Sequence, residues 1–108
     1  MNEISVIKAL SALAQTNRLQ IFRELVQKGT EGMTPALISG SLGLAANTLS
    51  FHLKELMYAD LISQERIGRN LIYRAQYDRM AAVLSFLTQN CCQGEVCELS
   101  TEETCKTC

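Results

Sequence analysis

Residues 34–58 constrain the fold more than any other stretch of this chain. Thr34-Pro35 pairs a capping hydroxyl with a proline suited to a first helical turn, and predicts a helix to about Leu42. Gly43-Leu44 leaves room only for a short turn. The next helix begins near Ala46 and runs to about Tyr58, with Leu49, Leu53 and Leu56 directed inward at i, i+4 and i+7. Two short helices joined by a tight glycine-containing turn have helix-turn-helix spacing. The remaining positions, including Asn47, Thr48, Ser50, Phe51, His52 and Lys54, are mostly polar and are expected on an open face.

The flanks extend this pattern. Ile4, Ile7, Leu10 and Leu13 recur at helical spacing and predict a first helix up to about Ala14. Asn17 is expected to cap a second helix, with Leu19, Phe22, Leu25 and Val26 on one face and Gly29 at its end. Beyond Tyr58, Leu61-Ile62 and Leu71-Ile72-Tyr73 favour strands. Gly68-Arg69-Asn70 lies between them, flanked by Arg66 and Arg74, which predicts a hairpin with a basic tip. Met80, Val83, Leu84 and Leu87 mark a last helix from about Asp78 to Asn90. The expected fold is mainly α with a β-hairpin, an α+β winged helix-turn-helix of order ααααββα. Its small core cannot absorb every apolar stripe, so the terminal helices are expected to pair with a second copy. Residues 1–90 form this domain, and residues 91–108 a cysteine-rich tail.

Composition fits one ordered domain: 108 residues, 47% hydrophobic and 19% charged. The apolar runs are far too short for a membrane span, and MNEISVIKAL lacks the pattern of a secretion signal, so a cytoplasmic location is expected. The net charge of -1 is unevenly placed. Residues 1–90 hold nine Lys/Arg against seven Asp/Glu, whereas residues 91–108 hold Lys106 against four glutamates. A mildly basic body implies DNA binding by focused contacts rather than by a broad field. A helix fits the major groove, where Asn47, Thr48, Ser50 and His52 can read base edges and Phe51 can meet a thymine methyl group. Lys54 suits phosphate, and Arg66, Arg69 and Arg74 suit the backbone or the minor groove. A plain helical bundle with a solvated polar face is the alternative, and the combined order and basic tip argue against it.

All five cysteines, Cys91, Cys92, Cys97, Cys105 and Cys108, fall in the last 18 residues. In a reducing compartment such a cluster points to soft-metal binding or thiol redox chemistry rather than to a disulfide framework. A small thiol enzyme would need an anion-binding loop before its nucleophile, and none precedes any of these cysteines. A metallochaperone would not need the wing or the polar face.

The stretches LSALAQTNRLQIFREL, LISGSLGLAANTLSFHLKELMYADLI and SQERIGRNLIYRA resemble the opening helices, helix-turn-helix and wing of the arsenical-resistance (ArsR) family. The Ser-x-His-Leu signature stands as Ser50-Phe51-His52-Leu53, and the likeness covers about residues 4–90. The resemblance implies a homodimeric repressor on an inverted-repeat operator in double-stranded DNA. It needs no cofactor for binding and leaves the operator when inducer binds. The family's Cys-Val-Cys sensor is missing, because Thr34-Pro35-Ala36-Leu37-Ile38 stands in its place. The zinc-type site on the last helix has only Asp78. Asn90-Cys91-Cys92-Gln93-Gly94-Glu95-Val96-Cys97 resembles a subgroup in which Cys91, Cys92 and Cys97 would bind As(III). The inducer is then arsenite, antimonite or a trivalent methylated arsenical. Thiol oxidation stands as the second reading of the tail, and a zinc or cadmium site including Cys105 and Cys108 as the third.

Overall fold

A computed structural model describes residues 2–90. Five helices and one hairpin follow in the expected order: α1 (Glu3–Leu13), α2 (Thr16–Lys28), α3 (Pro35–Leu42), α4 (Ala46–Tyr58), β1 (Ile62–Ile67), β2 (Asn70–Ala75) and α5 (Tyr77–Leu87). A short 3-10 turn at Gly29–Glu31 follows α2. Helices α2, α3 and α4 enclose the core, in which Ile21, Leu25, Ile38, Leu49, Leu56 and Leu61 are wholly buried.

Local chemistry sets the helix ends. Asn2 accepts from the Ser5 amide to start α1. Thr34 Oγ1 accepts from the Leu37 amide at 3.2 Å with Pro35 in the first turn of α3, as expected. The cap of α2 differs from expectation. Gln15, not Asn17, precedes the helix and accepts from the Arg18 amide at 2.9 Å, while Asn17 lies inside the first turn. The inner face of α2 is correspondingly Ile21, Phe22 and Leu25, with Val26 packed beside it and Leu19 exposed. Gly29 closes α2 at φ 69°.

The strands pair antiparallel from Ile62↔Ala75 to Ile67↔Asn70, leaving Gly68-Arg69 as a two-residue turn. Positive φ at Gly68 (63°) and not at Arg69 matches a type II′ hairpin. A second pairing fixes the base of the wing. Met33 and Tyr73 exchange backbone hydrogen bonds of 3.0 and 2.8 Å, joining the start of the helix-turn-helix to β2. Gly32 makes this approach possible, because a Cβ there would stand 2.6 Å from Ile72 Cγ2 and 2.8 Å from the Tyr73 carbonyl oxygen.

Helix α5 ends at Leu87, earlier than the expected Asn90. Its first residue is tied down. The Tyr77 hydroxyl donates to the Val26 carbonyl at 2.9 Å, one of the last-turn carbonyls of α2 that no helical amide reaches. Val83 is the single buried residue of α5, and Leu84 and Leu87 are exposed. Ile4, Ile7 and Leu10 of α1 are exposed as well, and α1 and α5 are in contact. Among the described residues no helix is long and apolar enough to cross a membrane.

Candidate nucleic-acid interface

The turn between α3 and α4 sets the angle of the second helix. Gly43 takes a left-handed φ of 68°, and its amide donates to the Ser39 carbonyl at 2.8 Å. The Ser39 hydroxyl closes the turn by donating to the Leu44 carbonyl. Leu49, Leu53 and Leu56 then anchor α4 in the core. The opposite face is open: Asn47, Thr48, Ser50, Phe51 and Lys54 are all exposed. Asn47 Oδ1 accepts from the Thr48 amide at 2.9 Å, so its side chain is partly engaged at the start of the helix. Ala45 offers no side-chain cap to α4.

His52 departs from expectation. It is only 7% exposed, on the same stripe as Leu49, Leu53 and Leu56, and cannot join its neighbours on the open face. Its Nδ1 lies 3.4 Å from Arg18 Nη1, and Phe51 meets its ring edge-on at 5.4 Å between centroids. Burial lowers the His52 pKa below its ordinary 6.5, the nearby Arg18 guanidinium lowers it further, and Glu55 opposes both. The imidazole is therefore neutral near pH 7. Sequence spacing held the signal for this placement, since positions 49, 52, 53 and 56 complete an i, i+3, i+4, i+7 stripe.

The wing arginines divide in two. Arg66 and Arg69 are exposed and line one cleft with Thr34, Pro35, Ala36, Asn70 and Leu71, so the hairpin stands beside the first turn of α3. Arg74 is spoken for. Its Nε donates to the Thr30 carbonyl and its Nη1 to Glu65 Oε1, both at 2.7 Å, so it braces the wing instead of extending it. Ser50 and Lys54 line another cleft with Gln64 and Tyr73, between α4 and the strands. The hairpin therefore meets α4 at Gln64 and Tyr73 and the first turn of α3 at Arg66 and Arg69.

Cys91, Cys92 and Cys97, the expected metalloid ligands, lie outside the described residues, as do Cys105 and Cys108. Among the described residues, no group of three His, Cys, Asp or Glu side chains is gathered as a metal ion would require.

Residues 13–65 match a family model described as a helix-turn-helix domain. No curated protein matches the chain at the level of sequence. Solved structures do resemble it. An ArsR-like transcriptional regulator from Rhodococcus sp. RHA1 superposes with a TM-score of 0.73 at 20% identity, over 80% of this chain and 78% of that one. NolR from Sinorhizobium fredii gives 0.64 at 29% identity, over 79% and 82%. The homodimeric winged helix-turn-helix DNA-binding domain of Mb0332 from Mycobacterium bovis, a possible ArsR-family regulator, gives 0.64 at 25%, over 87% of each chain. Residues 13–65 therefore carry a helix-turn-helix domain, and the described residues have the winged-helix fold of these ArsR-like regulators.

Proposed function

We propose that this chain is a metalloid-responsive repressor. A homodimer grips an inverted-repeat operator in its apo form and lets go when As(III) binds Cys91, Cys92 and Cys97. The observation that carries the DNA half is the division of α4, whose leucines are sealed in the core while Asn47, Thr48, Ser50, Phe51 and Lys54 stand open, with Arg66 and Arg69 of the wing exposed as well. Asn47, Thr48 and Ser50 offer hydrogen-bonding groups and Phe51 an apolar edge to the major groove, and the basic residues offer charge to phosphate. Dimerisation is supported by the exposed Ile4, Ile7, Leu10, Leu84 and Leu87 on two touching helices, and by the homodimeric state of the Mycobacterium bovis relative. Two-fold pairing through these helices would set two α4 helices for successive major grooves.

The sensor half rests on sequence. Three thiolates suit the thiophilic, pyramidal As(III) centre, and Cys91 follows α5 by only a few residues. Ligand binding there would act on the helix that helps build the dimer, and reciprocity requires DNA to weaken inducer binding equally.

The test is a mobility shift on DNA upstream of the chain's own gene, with arsenite, zinc and peroxide titrated separately. Release by arsenite alone, lost in a Cys91/Cys92/Cys97→Ser variant, supports the reading. Release by peroxide or zinc instead replaces the sensor and keeps the DNA reader. Arsenite binding with unchanged DNA affinity removes the coupling.

A further inference from the structure

Arg18 joins three helices at one point. Its amide belongs to the first turn of α2 and donates to the Gln15 cap. Its Nε donates at 2.6 Å to the Ala12 carbonyl, in the last turn of α1, where no helical amide is available. Its Nη1 lies 3.4 Å from Nδ1 of His52, in the middle of α4. A guanidinium can only donate, so this contact requires an unprotonated Nδ1 and a proton on Nε2. The buried side of α4 is otherwise held by leucines, which resist sliding poorly because dispersion is non-directional.

We propose that Arg18 and His52 are positioning residues for DNA binding, a hydrogen-bonded link that ties the register of α4 to the end of α1. The proposal rests on the DNA-reading role of α4. Helix α1 also carries the exposed Ile4, Ile7 and Leu10, so the link joins the expected dimer face to the expected reading face through one side chain. Protonation of His52 breaks it, because imidazolium has no acceptor and would face a fixed cation. The charged groups that act on it are Arg18 from α2 and Glu55 from α4; these two share a cleft with Tyr58 of α4 and Lys8 of α1, whose Nζ is held 3.9 Å from the Tyr58 ring centroid.

The experiment uses the full chain and a duplex it selects from a random-sequence library. His52→Asn keeps a neutral acceptor in the Nδ1 position, His52→Leu removes it while filling space, and Arg18→Leu removes the donor. At pH 7.5, both leucine variants are expected to remain dimeric and folded yet to bind that duplex roughly tenfold or more weakly. His52→Asn is expected to recover most of the loss. As pH falls below 6.5, wild type loses affinity relative to His52→Asn. His52 is the sole histidine, so its ring nitrogen NMR signals need no assignment. They should show the Nε2–H tautomer, and the titration midpoint should rise in Arg18→Leu. The Nδ1–H tautomer, an unmoved midpoint, or undiminished binding by His52→Leu overturns the link alone. Failure of wild type to select any duplex overturns the DNA reading, and the positioning role with it.

Discussion

Helices α4 and α1 each bury one face and expose the other, but what they expose differs. Outside the core, α4 presents the polar Asn47, Thr48, Ser50 and Lys54 together with the aromatic Phe51 and Tyr58, whereas α1 presents Ile4 at 78% and Ile7 at 63% exposure. A polar open face stays hydrated and suits a wet, charged partner such as DNA. An apolar open face beside an equally apolar neighbour, the end of α5, suits a dry protein surface. On the function proposed above, one small domain separates two kinds of recognition onto two helices, and the core between them has to hold both in register.

A charge on the dry side is the most severe test of this division. Ile7→Glu would place an unpaired carboxylate in each half of a two-fold interface, at a cost of about 3–5 kcal/mol per buried charge. The expected result is a folded monomer in sedimentation, with DNA binding largely lost. A variant that stays dimeric would reassign the α1 face.

Next in size is the brace between the two regions. Gly32→Ala must open the Met33–Tyr73 pairing and adopt an unfavourable φ of 69°. It should lower stability by about 1–3 kcal/mol in thermal or urea melts. An unchanged melt would mean that the wing is not tied to α3 as described.

On the wet side, Asn47→Ala or Ser50→Ala should weaken the preferred duplex by about 1–3 kcal/mol and relax base preference. Stability should move by less than about 0.5 kcal/mol, since both sites are exposed. Loss of affinity with a matching loss of stability would show that these residues support the fold instead. The smallest change is at the wing. Arg69→Ala should weaken all sequences alike and reduce the slope of log affinity against log salt by about 1. A sequence-dependent effect would move Arg69 from phosphate to base contact.

Much of this was legible because it is written in neighbouring residues. Thr34-Pro35, Gly43 and the hairpin turn at Gly68 each act within a few positions, and each does in the structure what its chemistry predicts, although Asn70, read with the turn, opens β2. The misreadings share a different cause. Gln15 caps α2 although its residue type is a less frequent cap than Asn17, since reach from the extended residue decided the matter. Arg74 looks like a free wing cation until Thr30, 44 residues away, supplies its acceptor. The polarity of His52 points outward while its spacing places it in the core, and its partner Arg18 lies 34 residues off. Helix α5 stops at Leu87, where Thr88, Gln89 and Asn90 are exposed and Thr88 turns its hydroxyl back onto the Leu84 carbonyl. The cysteine tail is legible only as chemistry, since thiols at Cys91, Cys92 and Cys97 specify what they prefer to bind and not where the chain carries them.

The tether from Tyr77 to Val26 gives α5 the mechanics of a lever. Its fulcrum is at the first residue, its packed shoulder reaches Val83, and its outer end at Leu87 is exposed. An 11-residue helix is about 15 Å long, so a tilt of about 10° at the fulcrum sweeps the far end through nearly 3 Å. Read in the other direction, a pull of a few ångströms at Leu87 becomes a small rotation applied at the carbonyl end of α2. That is the helix whose opposite end carries Arg18.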